Sequence, residues 1–169
     1  MINGHCEFSP CRKYRYTLWR VFYPMLAINP PMLPLEGNQA HNYCMFIGLN
    51  PSTADETRDD PTVRRCIEFA KSWGYGALCM TNIFAWRATD PEAMKSEEAP
   101  IGPSNNRWLT CSAAYAGVIV AAWGKHGSHR NRGEFVRGMV PNLHYLELNK
   151  DGSPRHPLYL KKTLTPKPL

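Results

Sequence analysis

The chain has 169 residues, of which 43% are hydrophobic, so it can bury roughly 70% of its unfolded surface in one domain without metals or disulfides. Its 20 basic and 14 acidic residues give a net charge of +6, a modest excess that permits a polyanionic partner without requiring one. No apolar run approaches the ~18 residues of a membrane span, and the N-terminus lacks the apolar core of a signal peptide. We therefore expect one domain over residues 1–169, monomeric and cytoplasmic, with no membrane contact.

Six cysteines are scattered along the chain without a Cys-x-x-Cys pair. Most lie in apolar stretches, where a reduced thiol behaves as a small core residue. Cys6 and Cys11, with His5 beside them, could contribute to a metal site, but no fourth ligand follows at a suitable spacing. We expect no metal and no cofactor.

The first quarter of the chain carries weak structural signals. Residues 1–13 lack a periodic pattern, so we expect an irregular leader. Tyr14 to Tyr23 alternates in polarity and predicts a strand at a sheet edge, ended by Pro24. From Met25 to Tyr43, three prolines with glycine and asparagine predict a long loop that covers or flanks the site.

The stretch from Met45 to Ser52 is an apolar run that stops in a small polar turn. A continuous apolar run is typical of a buried strand in a parallel sheet, and Gly48 and Pro51 permit a tight exit from it. Asn50 is thereby placed at the carboxyl end of a strand, where open α/β sheets bind ligands. Asn-Pro is also a common turn opener, so the turn alone does not establish a site.

Helices and strands then alternate. Asp60 at the N-cap and Pro61 at the first helical position predict a helix that ends near Gly74. A second buried strand, Ala77 to Phe84, again carries an asparagine, Asn82, near its carboxyl end. The later predicted elements are a helix from Ser104 or Asn105 to Ala116, a strand from Val118 to Trp123, a helix from Glu134 to Met139 and a strand from Leu143 to Leu148.

This alternation predicts an α/β fold, a three-layer α/β/α sandwich around a central, mostly parallel sheet of four to five strands. Because parallel strands end at the same edge of a sheet, we expect Asn50, Asn82, Gly124 and the loop with His156 to meet in one cleft.

Four motifs follow one another in an order that resembles the uracil-DNA glycosylase superfamily. They are Gly-Leu-Asn-Pro-Ser at 48–52, Thr-Asn-Ile-Phe-Ala-Trp-Arg-Ala-Thr-Asp-Pro at 81–91, Val-Ile-Val-Ala-Ala-Trp-Gly at 118–124 and Arg-His-Pro-Leu-Tyr-Leu at 155–160. More narrowly, Leu-Asn-Pro-Ser-Thr-Ala-Asp-Glu, Asp-Asp-Pro-Thr, Arg-Ala-Thr-Asp-Pro and Arg-His-Pro-Leu-Tyr resemble DUF1643, a bacterial and phage family of unknown function. The narrower resemblance is the more specific one and implies no reaction.

The superfamily resemblance implies a role for each pocket residue. Asn50 lies where an Asp or Asn positions the hydrolytic water, and Asn82 where an asparagine reads the Watson–Crick edge of a flipped pyrimidine. His156 lies where a histidine donates to the pyrimidine O2 as negative charge develops. Gly48, Leu49, Pro51 and Ser52 would complete the base pocket. The implied reaction is hydrolysis of the N-glycosidic bond in DNA, leaving an abasic site.

Two departures from the superfamily bear on the substrate and cofactor. Ser52 stands where uracil-specific members carry a bulky aromatic residue, so the resemblance implies a modified or damaged pyrimidine, with bulky phage-type bases among the candidates. Ala85 and Trp86 stand where the iron-sulfur branch would carry a cysteine, so no cluster is expected.

Asp55 is the carboxylate nearest to the Asn50 turn in sequence. It could act as a base or as an electrostatic partner for an oxocarbenium-like sugar. A solvated acid that precedes a helix explains it as well.

The resemblance also implies DNA contacts. Leu158, Tyr159 and Leu160 follow the His-Pro step where the superfamily inserts a wedge into the duplex, although three such residues are equally compatible with a core strand. Further contacts to backbone phosphates are expected from Gly124, Lys125, His126, Ser128, Arg130, Arg132, Lys161 and Lys162.

Two other functions remain open. The fold could serve as a non-catalytic module that binds a modified base, a nucleotide or a nucleic-acid end, because an amide at position 50 is no strong base. The same pocket could also carry out another reaction on a nucleobase, with the acidic loop after Asn50 supplying the base.

Overall fold

A computed structural model of the chain describes residues 3–22 and 41–169. No helix within those ranges is long and apolar enough to cross a membrane. The strands are β1 (Asn3–Phe8), β2 (Arg15–Val21), β3 (His41–Gly48), β4 (Ala77–Asn82), β5 (Ala116–Ala121), β6 (Leu143–Tyr145) and β7 (Lys167–Pro168). The α-helices are α1 (Pro61–Ser72), α2 (Pro91–Lys95), α3 (Asn105–Ala113) and α4 (Arg132–Met139).

All seven strands form one mixed sheet in the order β1-β2-β4-β3-β5-β6-β7. The four strands β4, β3, β5 and β6 run parallel to one another, whereas β1, β2 and β7 join their neighbours in antiparallel pairs. The expected α/β class is confirmed. The expected count of four to five strands is wrong, because β1 and the two-residue β7 extend the sheet on both sides.

The N-terminal region differs from its prediction. Residues 3–8 of the expected irregular leader form β1, which pairs with β2 from Asn3 opposite Val21 to Phe8 opposite Arg15. The strand predicted from Tyr14 exists as β2, but it lies between β1 and β4 rather than at an edge. Every residue of β2 is buried, since both faces of this strand are covered. The predicted Met25 to Tyr43 loop lies outside the described residues as far as residue 40, and its last residues belong to β3.

The two faces of the sheet pack against different helices. From β3, Tyr43, Met45 and Ile47 face a core shared with α2, α3 and α4, whereas Cys44 and Phe46 face a core shared with α1. Strand side chains alternate between faces, so an uninterrupted apolar run is needed where both faces are covered. The sequence of β3 meets this requirement.

Helix α1 begins as its sequence predicts. The side chain of Asp60 accepts a hydrogen bond from the Val63 amide at 2.8 Å, and Pro61 occupies the first turn. The same Asp-Pro signal occurs at Asp90 and Pro91 and starts α2, which the sequence analysis missed. The predicted helices ending at Ala116 and starting at Glu134 are found as α3 and α4 with shifted bounds.

Candidate active site at the carboxyl ends of three parallel strands

A cavity of about 520 Å³ opens where β3, β4 and β5 end. Gly48, Leu49 and Asn50 line it from the end of β3, Asn82 from β4, and Trp123 with Gly124 from the segment after β5. The structure thus brings together the strand ends that the sequence analysis expected to meet. His156 closes the cavity from the C-terminal loop.

Asn50 uses its amide nitrogen to hold the turn. Nδ2 donates to the carbonyl oxygens of Ala88, at 2.8 Å, and Pro51, at 3.1 Å. Within residues 3–22 and 41–169, no hydrogen bond reaches Oδ1 of Asn50. Because the donor is already engaged, the free capacity of this amide is an acceptor.

Asn82 has the opposite arrangement. The residue is 4% exposed, and its Nδ2 has no hydrogen-bond partner in the described part of the chain. It lies directly opposite Gly48 in the β3–β4 register, and a Cβ at position 48 would lie 2.8 Å from Oδ1 of Asn82. A glycine at position 48 therefore makes room for this side chain, and Asn82 lines the cavity with its amide donor buried and unsatisfied.

Two buried side chains that sequence reasoning did not assign to the site hold the backbone after Asn82. Asn105 Nδ2 donates to the carbonyl oxygens of Asn82 at 2.9 Å and Ile83 at 3.1 Å, and Arg132 Nε donates to that of Ile83 at 2.8 Å. The sequence predicts only a helix cap for Asn105 and only a phosphate contact for Arg132, and no local pattern distinguishes a buried anchor from either role.

His156 lies at the mouth of the cavity before Pro157. Its Nδ1 accepts a long hydrogen bond from the Leu158 amide at 3.4 Å, which in the neutral ring leaves the proton on Nε2. Desolvation against the cavity wall lowers the pKa of the imidazole, and the Asp60 carboxylate partly opposes that shift. The lowered pKa favours the neutral ring, which has one N–H to donate.

The cavity also contains charged residues that the sequence analysis did not place there. Asp60 lines it in addition to capping α1. Arg15 lines it from β2, is 3% exposed, and donates through Nη1 to the Ala54 carbonyl at 2.5 Å. Desolvation lowers the Arg15 pKa to about 10, so the side chain stays positive at neutral pH. Other lining residues not predicted are Thr62, Val63, Met80, Ala88, Thr89, Pro91, Ala122, Asn149, Arg155 and Pro157.

The structure does not bring Asp55 to this cavity. Its Oδ1 accepts hydrogen bonds from the amides of Thr57 and Arg58, both at 2.8 Å, and from the Thr57 hydroxyl at 3.1 Å. These bonds lower the pKa of the carboxyl group. Asp55 therefore stabilises its own loop and does not line the cavity.

The remaining base-pocket residues are close to Asn50. Ser52 lines the cavity together with Gly48 and Leu49. Pro51 is buried behind them, and its carbonyl accepts hydrogen bonds from Asn50 Nδ2 and from the Ala88 amide.

The expected DNA-contacting residues separate into two groups. Gly124, with φ of +68°, lines the cavity rim together with Lys125, His126 and Tyr159, and Tyr159 is 88% exposed. Ser128 lies in a neighbouring depression, where its hydroxyl donates to the Lys125 carbonyl.

The segment after the cavity rim corrects part of the expected wedge. Leu160 is buried in the core shared with α1, so it cannot enter a duplex without unfolding that core. Leu158 is half-buried outside the cavity lining, which leaves Tyr159 as the exposed member of the three. Lys161 is exposed, whereas Lys162 lies 3.4 Å from a carboxylate oxygen of Glu68.

Comparison with known proteins places the chain in a family. No curated protein and no solved structure matches it significantly. Residues 15–158, which include all the strand ends around the cavity, match the family model described as a protein of unknown function (DUF1643), and the chain therefore belongs to the DUF1643 family.

Proposed function

We propose that this chain is a DNA glycosylase that hydrolyses the N-glycosidic bond of a modified or damaged pyrimidine after flipping it out of the duplex. In this proposal the fold is the three-layer α/β/α sandwich of the uracil-DNA glycosylase superfamily. The protein would act on DNA in the cytoplasm as a monomer.

The observation that carries the proposal is Asn82, a residue of the cavity wall whose buried Nδ2 has no hydrogen-bond partner in the described part of the chain. A buried amide donor without a partner costs about 1–3 kcal/mol, so its retention favours a ligand that accepts a hydrogen bond there. The Watson–Crick edge of a pyrimidine offers carbonyl and ring-nitrogen acceptors. A flipped base is thus a chemically suitable occupant.

The other two residues fit the steps of base release. Oδ1 of Asn50 would hold a water molecule near the anomeric carbon. Neutral His156 would donate from Nε2 to the pyrimidine O2 as negative charge develops on the departing base. One donor aimed at developing charge contributes about 3 kcal/mol in characterised sites.

The lining of the cavity supports a base larger than uracil, and its size permits one. A volume of about 520 Å³ falls within the usual range for ligand pockets. Ser52 lines the wall at the position where the superfamily resemblance implies a blocking aromatic ring. Pyrimidines with a substituent at C5, including bulky phage-type bases, are therefore the proposed substrates.

A non-catalytic base-binding module is the second candidate. It is favoured by the amide at position 50, since an amide orients water but does not accept its proton.

The test is a panel of oligonucleotides and phage genomic DNAs with different pyrimidine modifications, incubated with the protein and then treated with alkali to cleave abasic sites. Cleavage at one modified base, lost in Asn82→Ala and kept in Cys111→Ala, an exposed-site control on α3, is the expected result. Selective binding without cleavage would indicate the module. If the protein fails to bind DNA even at low salt, both nucleic-acid functions are refuted.

A further inference from the structure

The cavity wall contains one acidic side chain within the described ranges, that of Asp60. Its Oδ1 is fixed by the Val63 amide at 2.8 Å, and Pro61 begins the helix directly after it. In the described part of the chain, no hydrogen bond or ion pair engages the second carboxylate oxygen. One oxygen therefore anchors the side chain, and the other is available to a ligand.

Two ionisable neighbours share the wall with Asp60. Arg15 is buried, has no ion pair among the described residues, and has an unpartnered Nε. Desolvation lowers the pKa of both Arg15 and His156, while the charge of Asp60 opposes the shift in each. The Asp60 carboxylate thus lies near enough to act electrostatically on His156, which is proposed to donate a hydrogen bond to the departing base.

The proposed reaction creates two demands that the asparagines do not meet. Departure of the base leaves positive charge at C1′, and the attacking water must lose a proton. Neither amide accepts a proton, whereas a carboxylate can accept one and can also stabilise a nearby cation.

We infer that Asp60 is the catalytic carboxylate of this cavity, an inference that rests on the proposed glycosylase function. As C1′–N1 breaks, its electron pair goes to the base, which accepts a hydrogen bond from His156. The water oxygen forms the new bond to C1′, and the water proton passes to Asp60 and then to solvent. Asn50 holds the water, and Asp60 supplies the negative charge.

The role of Asp60 in α1 permits a clean variant. Asn and Ser are N-cap residues about as good as Asp, so Asp60→Asn and Asp60→Ser remove the charge while keeping an acceptor for the Val63 amide. Asp90→Asn is the control, because the Asp90 side chain also caps a helix, accepting from the Glu92 amide of α2, and lies outside the cavity lining.

The experiment compares two abasic duplexes that need no knowledge of the natural base. One carries a cationic pyrrolidine in place of the sugar, and the other carries neutral tetrahydrofuran. We expect the wild-type protein and Asp90→Asn to bind the cationic duplex about tenfold more tightly, equivalent to about 1.4 kcal/mol. We expect Asp60→Asn and Asp60→Ser to bind both duplexes equally. Once the panel supplies a substrate, single-turnover release should fall about a hundredfold or more in both Asp60 variants.

Each outcome separates this inference from the proposed function. Equal binding of both duplexes by the wild-type protein, or a cationic preference that survives in a folded Asp60→Asn or Asp60→Ser, overturns the role of Asp60 and leaves glycosylase activity open. Wild-type protein that binds neither duplex at low salt refutes the proposed function, and the inference with it. Thermal unfolding of each variant shows that the fold is intact.

Discussion

Asn50 and Asn82 occupy the ends of neighbouring parallel strands and line the same cavity, yet the fold uses their side chains in opposite ways. The amide nitrogen of Asn50 donates hydrogen bonds to two backbone carbonyls, whereas that of Asn82 has no partner in the described part of the chain. One asparagine therefore offers an acceptor to a ligand and the other offers a donor. In the proposed reaction, the first suits a water molecule and the second suits the edge of a base.

Among changes to Asn50, Asn82 and His156, the largest effect is expected for His156, which should act with Asn50 in the transition state. We expect His156→Ala to slow single-turnover base release about a hundredfold, as for other donors aimed at developing charge. Binding of the target duplex should change little, because the charge develops only as the bond breaks. A parallel loss of binding and rate would mean that His156 recognises the base as Asn82 does.

Truncating each asparagine tests whether Asn50 and Asn82 have different roles. Asn82→Ala should weaken discrimination between the target base and ordinary pyrimidines by about 1–3 kcal/mol, because a donor to the base is removed. Asn50→Ala should instead lower the rate of release and leave discrimination intact. The measurements are competition binding and single-turnover kinetics on the same duplexes. Exchange of the two patterns would reverse the assigned roles.

A charge at position 50 tests whether the turn needs the amide nitrogen. Asn50→Asp would face the carbonyl oxygens of Ala88 and Pro51 with another acceptor, so we expect the free energy of unfolding to fall by about 1–3 kcal/mol. The control is Asn142→Asp, the same substitution at an exposed position. Urea denaturation gives both values, and equal stability of the two variants would contradict the structural role of Asn50.

Salt dependence tests whether the ligand served by the two asparagines is DNA. We expect Lys161→Ala to flatten the plot of log affinity against log salt by up to about 0.9 for each phosphate that the lysine neutralises. Lys162→Ala should have a smaller effect, because Lys162 already lies beside Glu68. Fluorescence anisotropy over a salt series checks this, with Lys71→Ala on α1 as the control.

The smallest effect concerns pH. Desolvation lowers the pKa of His126, His129 and His156, so the unfolded chain binds more protons than the folded chain just below the ordinary histidine value of about 6.5. The free energy of unfolding should therefore decrease as pH falls through this window. His156→Gln should reduce the dependence. A stability that rises on acidification would contradict the neutral His156 that the proposal requires.

Local sequence signals were sufficient to predict the central strands, although each strand ends two to three residues before its predicted end. The apolar runs before Asn50 and Asn82 are unbroken, and Asp60-Pro61 is a strong helix start, so each of these elements was found where it was expected. Strands β1 and β7 lack such signals, because β7 has two residues and β1 gains its order from pairing with β2.

Two site residues show why the cavity was harder to predict. Asp55 is closer to Asn50 in sequence, but its carboxylate accepts hydrogen bonds from the amides of Thr57 and Arg58 in its own loop. Asp60 is farther along the chain, but the packing of α1 across one face of the sheet carries it back to the end of β3. Its capping role accounts for it at the level of sequence, and the acidic loop after Asn50, to which it belongs, suggested a base without distinguishing Asp60 from the other acids there.

The position of β3 in the sheet has a consequence for the time needed to fold. It pairs with β4 on one side and with β5 on the other, and in the second pairing Cys44 lies opposite Val118. Such distant pairing closes a long loop before it yields stabilising contacts, which slows folding. Until β5 pairs with β3, one edge of the apolar strand β3 stays unpaired and prone to association with other chains. We therefore expect refolding yield to depend on protein concentration more strongly than native stability does.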